Sequence, residues 1–116
     1  MDSKTFYQLY TEALAASSEE MYVAEWATSS IFDSDPDAPS PDYDAIVREL
    51  SEIYRAAHIT VKEIRAATGL SQARFAEAYC IPRRTLEDWE TGKREPPPYI
   101  RLWLAWLTGA VTAGRP

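Results

Sequence analysis

Between residues 71 and 92, apolar side chains recur at helical spacing in two runs of about two turns each, and Pro82 breaks the chain between them. Few arrangements satisfy that pattern. The first run opens at Ser71, a residue type whose hydroxyl can cap free backbone amides, and carries Phe75, Ala76 and Tyr79. The second runs from Arg83 to Thr91 and ends at Gly92, where a left-handed stop belongs. Ala76 is small where the two helices must cross, and a bulkier side chain there would force them apart. Phe75, Ala76, Ile81, Leu86 and Trp89 read as the inward positions, a core too small for any long element.

The signals on either side extend the helical reading. Thr60 and Glu63 have capping-box spacing and open a helix through Ile64, Arg65 and Thr68, with Gly69 as its stop. After Gly92, residues 93–98 form a stiff loop before a last helix from Tyr99 to about Leu107. Tyr99, Ile100, Leu102, Trp103, Leu104, Trp106 and Leu107 cover nearly all of that helix's circumference, so it is expected to be buried on several sides. Trp103 and Trp106 are read as packing either on an N-terminal hairpin or on a second subunit.

Upstream, Phe6, Leu9, Tyr10, Ala13 and Leu14 make one apolar stripe, and Ser17 with Glu20 has the spacing of a second capping box. Residues 28–43 hold Pro36, Pro39 and Pro41 among four aspartates, a composition that buries little surface and reads as a linker. Helical spacing resumes at Ile46, Val47, Leu50, Ile53, Tyr54 and Ala57. The expected organisation is an acidic helical extension over 1–28, a linker over 29–42 and a compact helical domain over 43–116.

Charge is unevenly spread along the 116 residues. The formal net charge is −6, yet residues 1–57 hold 12 acidic and 3 basic side chains, whereas 58–116 hold 6 acidic and 9 basic. The average conceals a polarised chain, so nucleic acid is not excluded as a partner. Cys80 is the only cysteine and His58 the only histidine. One chain therefore cannot assemble a disulfide or a cysteine-based metal site, and most histidine-dependent catalytic arrangements are removed. No enzyme activity, metal or cofactor is expected. Cys80 reads as a small buried apolar residue, and His58 as punctuation before the Thr60 cap. The start of the chain lacks the basic flank and apolar run of a secretion signal, and the longest apolar stretch is too short to cross a bilayer. The expected location is the cytoplasm.

Residues 60–107 resemble the phage-repressor-like, XRE-type helix-turn-helix family. The resemblance is carried by Leu70-Ser71-Gln72, Phe75-Ala76, Arg84-Thr85-Leu86, Trp89-Glu90, Gly92-Lys93-Arg94 and Pro96-Pro97 in their order and spacing. The stretch from Arg84 to Glu90 also resembles antitoxin-type members. The fold class implied is all-α, a lambda-repressor-like bundle with an acidic helical extension. In such proteins a short helix enters the major groove N-terminus first. The resemblance places Arg83, Arg84 and Asp88 at base edges, where arginine can donate twice to guanine and aspartate can accept from cytosine. It places Ser71, Gln72, Thr85, Lys93 and Arg94 at phosphates, contacts that orient without specifying. It pairs Arg65 with Glu90 in a structural ion pair. Cys80 stands where the family has a turn glycine, which implies a positive φ, and Pro82 replaces the Ser or Thr that caps the second helix.

The function so implied is a sequence-specific DNA-binding transcription regulator, a small bacterial or phage repressor or an antitoxin-type autoregulator, acting on duplex operator DNA as a homodimer. The other reading is a protein-binding module that kept the scaffold and engages a basic, toxin-like partner through its acidic half. That acidic half also reads as a solvated cap, or as a cover over the basic face.

Overall fold

The computed structural model describes residues 1–32 and 42–116, so most of the expected linker lies outside the described residues. Among the described residues the elements are helical: α1 (Ser3–Ala15), α2 (Glu19–Trp26), a 3-10 turn (Ser30–Phe32), α3 (Tyr43–His58), α4 (Val61–Thr68), α5 (Gln72–Ala78), α6 (Arg83–Thr91) and α7 (Pro98–Thr108). The chain divides into two compact units, Met1–His58 with Ala113–Pro116, and Ile59–Thr112. The expected boundary at residue 43 therefore moves to 59. The stripe on α3 that suggested membership of the C-terminal domain is satisfied instead by α1 and α2. Among the described residues no helix is long and apolar enough to cross a membrane.

In the first unit α1 and α2 pack on α3. The Asp2 carboxylate accepts from the Thr5 amide at 2.7 Å, which caps α1 and holds the carboxyl below its ordinary value. The cap of α2 is Ser18, not the expected Ser17: its hydroxyl accepts from the Met21 amide at 3.2 Å. Starting there sets both Glu19 and Glu20 in the first turn, where the helix dipole favours negative charge, and turns Tyr22 into the core.

The core of this unit is Phe6, Leu9, Tyr10 and Ala13 from α1, Tyr22 from α2, and Ile46, Leu50, Ile53, Ala56 and Ala57 from α3. Tyr22 is 1% exposed, so its hydroxyl needs a partner, and it donates to the Leu9 carbonyl at 2.8 Å. Burial pushes that phenol well above its usual range. His58 does more than punctuate the chain: its Nε2 donates to the Ala13 carbonyl at 2.7 Å while its ring lies 4.3 Å from that of Tyr54. The end of α3 is thereby tied to the end of α1.

The C-terminal residues return to this unit. Gly114 has φ +73°, and a Cβ built on it would run into the ring of the buried Phe6. Gly114→Ala therefore combines a left-handed backbone with overpacking and is expected to destabilise this unit by about 1–3 kcal/mol. Thermal unfolding followed by circular dichroism checks this, and an unchanged midpoint would show that the tail does not pack.

In the second unit the helices are short, and α4, α6 and α7 each end at a left-handed glycine. The Thr60–Glu63 capping box is complete, with the Glu63 amide donating to the Thr60 hydroxyl at 3.1 Å and the Thr60 amide to the Glu63 carboxylate at 3.2 Å. α4 packs against α6 and α7, and α5 against α6. Val61, Ile64, Phe75, Ala76, Leu86, Leu102, Leu104 and Ala105 are buried together, with Val111 closing the end. Helix α7 departs from expectation. Leu102, Leu104 and Ala105 are buried, but Tyr99, Trp103 and Leu107 stand 53%, 52% and 68% exposed, so one long side of it is open.

Candidate nucleic-acid interface

Helices α5 and α6 are joined by the four residues 79–82, and the backbone of this turn decides how α6 is presented. The Ile81 amide donates to the Ala76 carbonyl at 2.9 Å, folding the turn back on α5. Cys80 adopts φ 55°, the left-handed conformation that a glycine would take without strain. The same backbone turns its side chain outward, so Cys80 is exposed and the expectation of burial is corrected. Pro82 then sets φ at −54° and leads into α6 with no side-chain cap. The amides of the first turn of α6 lack the usual hydroxyl partner as a result.

Arg83 and Arg84 stand on that first turn, both exposed. Arg83 is engaged, with Nε 3.3 Å from Glu87 Oε1 in an exposed i,i+4 pair worth only a few tenths of a kcal/mol. Arg84 forms no ion pair among the described residues. Asp88, expected beside them at base edges, is buried at 8% exposure. Its carboxylate lies 3.7 Å from Arg94 Nε and its carbonyl accepts from the Arg94 amide at 3.2 Å. The reason is long-range. Gly92, at φ 81°, reverses the chain so that the following loop folds over Asp88 and removes it from the open face of α6.

The expected phosphate contacts divide in the same way. Lys93 and Arg94 are exposed in the loop after α6. Ser71 is exposed at the start of α5, its hydroxyl accepting from the Arg74 amide at 3.2 Å. Gln72 is half-buried, and its side-chain hydrogen bond helps to hold the Glu90 carboxyl below its ordinary value. Thr85 is half-buried and faces α7, so it does not stand with the arginines. Ile81 and Trp89, expected in the core, are only partly covered. With Thr85 they line an apolar groove of about 440 Å³ whose opposite wall is Ile100, Trp103 and Leu104 of α7. Arg74, exposed one turn into α5, is a cation that the sequence reading passed over, and its position beside Ser71 was the available signal.

Behind the open face, Arg65 holds the frame. Its Nε donates to Glu90 Oε2 and its Nη2 to Glu90 Oε1, both at 2.8 Å, and Nη1 donates to the Leu70 carbonyl at 3.0 Å. One guanidinium thus joins α4, the start of the α5 segment and the end of α6 in a fork with two parallel bonds. The hydrogen bond from Arg65 holds the Glu90 carboxyl below its ordinary value, and the same bond raises the guanidinium. The Glu90 side chain is 4% exposed and that of Arg65 20%. The pair fixes the angle at which α6 leaves the bundle.

A model of the helix-turn-helix family matches residues 61–99, a third of the chain, from the start of α4 to the first turn of α7. Neither the curated proteins nor the solved structures provide a significant match. The matched segment contains the α5–turn–α6 unit and the Arg65–Glu90 fork. Residues 61–99 are thus similar to the helix-turn-helix family in sequence, and the α5–turn–α6 unit stands within the matched segment.

Proposed function

We propose that this chain is a sequence-specific transcription regulator that reads operator DNA through α6 and acts in the cytoplasm as a small repressor or an antitoxin-type autoregulator. The observation that carries the reading is Arg84, an exposed guanidinium on the first turn of α6 with no ion pair among the described residues. A helix entering the major groove by its N-terminus brings that turn to base edges, where arginine donates to guanine O6 and N7. Arg83 assists once it leaves Glu87. Lys93, Arg94, Ser71 and the amides opening α5 supply phosphate contacts, and Asp88 serves to hold Arg94 rather than to touch a base.

A titration against the DNA upstream of its own gene tests this. Affinity is expected to fall linearly in log salt, with a slope of about −0.9 for each phosphate neutralised. A second reading, engagement of a basic protein through the first unit, is favoured by Tyr7 and Met21, which stand 70% and 67% exposed among acidic side chains. Binding to a protein partner with no salt-dependent DNA binding would select that second reading.

A further inference from the structure

Helix α6 carries three carboxylates in different surroundings. The Glu90 side chain is 4% exposed and held by Arg65, that of Asp88 is 12% exposed and faces Arg94, and that of Glu87 is 43% exposed. Glu87 is therefore the acid of α6 that stands on its open side. Helical geometry fixes where. At about 100° per residue, Glu87 lies roughly 40° round from Arg83 and roughly 60° from Arg84, between the two arginines, whereas Asp88 falls beyond Arg84. The open arc of α6 is thus cation, anion, cation, and the anion lies 3.3 Å from Arg83 Nε.

A guanidinium only donates and a carboxylate only accepts. In the major groove guanine presents the acceptors O6 and N7, and cytosine presents its N4 amino group, so arginine suits the first base and glutamate the second. Set against guanine O6 or thymine O4, the carboxylate meets another acceptor. With phosphates on either side it also has no counter-charge once Arg83 has left it.

We propose that Glu87 determines specificity by refusal: it keeps Arg83 paired within the protein and releases it only where Arg83 gains a guanine and Glu87 a cytosine amino group. The exposed i,i+4 pair is weak, so a matching site opens it readily. A site with guanine but no such amino group gains the arginine contact and strands the carboxylate, the kind of unpaired charge by which an interface rejects a wrong partner. On DNA of unrelated sequence the pair stays closed, and Arg83 neutralises no phosphate. The inference rests on the proposed operator reading and gives it an acceptor at Glu87, where the resemblance had put Asp88.

Selection of bound duplexes from a pool of random sequence, followed by sequencing, tests this for the wild type, Glu87→Gln and Glu52→Gln. Glu52 is exposed on α3, so its replacement makes the same change in net charge away from α6. Glu87→Gln keeps the shape of a side chain that is 43% exposed, so the fold is expected to tolerate it. The wild type is expected to enrich cytosine at a position beside the guanine read by arginine. In Glu87→Gln that preference should fall by about fivefold or more and move toward adenine, which offers an amide both a donor and an acceptor. The log-log salt slope for binding the unselected pool should steepen by about 0.9 in Glu87→Gln, because Arg83 then reaches one more phosphate. Glu52→Gln should follow the wild type in base preference and in slope.

A Glu87→Gln protein with the wild-type preference at every position, or with the salt slope of Glu52→Gln, would overturn the proposal and leave operator reading standing. A wild type that enriches no sequence and binds the pool without salt dependence would remove the operator reading and this inference with it.

Discussion

Replacing Arg84 by alanine is expected to cost the cognate site about 1–3 kcal/mol, roughly 5- to 150-fold in affinity, and to relax the preference at a single base pair. The expectation comes from the difference between two neighbouring arginines. Arg83 must first give up Glu87, a small cost, and Arg84 has no ion pair to give up among the described residues. A bidentate contact to guanine loses both its bonds when the guanidinium goes, and the loss falls only on sequences that have guanine there. Lys93→Ala should instead weaken every sequence alike, since a phosphate is the same beneath each base. A panel of single-base operator variants titrated with both proteins separates the two effects. If Arg84→Ala lowers affinity equally for every variant, Arg84 is not a base reader.

Arg65→Ala is expected to destabilise the second unit by about 3–5 kcal/mol. Three hydrogen bonds disappear, and the Glu90 carboxylate, 4% exposed, is left buried beside an empty space. That is a large part of the 5–15 kcal/mol that holds a typical domain together. Glu90→Gln should cost less, because it leaves behind no buried unpaired charge and the Arg65 side chain is 20% exposed. The acid dependence has a definite sign. The Glu90 carboxyl is depressed by Arg65 from an ordinary value of 4.5, so the pair's stabilisation is complete above that pH and is lost as pH falls through the lower folded value. In Arg65→Ala the largest cause of that lowering is gone, so the variant has less of this stabilisation to lose. Denaturant unfolding at neutral and acid pH should therefore show the gap between wild type and variant closing below pH 4.5. A gap that does not change with pH would mean that the fork contributes packing and not charge.

The local devices of the second unit were readable in advance because each is written in neighbouring residues. Thr60 with Glu63, and the left-handed stops at Gly69 and Gly92, need only a few positions to be recognised. What escaped was everything set by distant chain. An apolar stripe such as Ile46, Leu50 and Ile53 says that a helix is covered on one side, not by what, and α3 proved to be covered by α1 and α2. The family resemblance set Asp88 one turn beyond Arg84 and facing the same way, but the path of the loop after Gly92 leaves Asp88 buried. Cys80 was misjudged for a related reason. Its size and polarity suit an interior, and the left-handed backbone of the turn points it outward regardless.

Thr85 and Trp89 are at once the back of α6 and one wall of the groove, facing Ile100 and Leu104 across it. A lineage in which α6 tilts to suit a new operator must reshape that wall in the same step. Changes of target confined to Arg83 and Arg84, on the exposed side of α6, leave that wall untouched, so the recognition surface can vary while the packing of the unit stays the same.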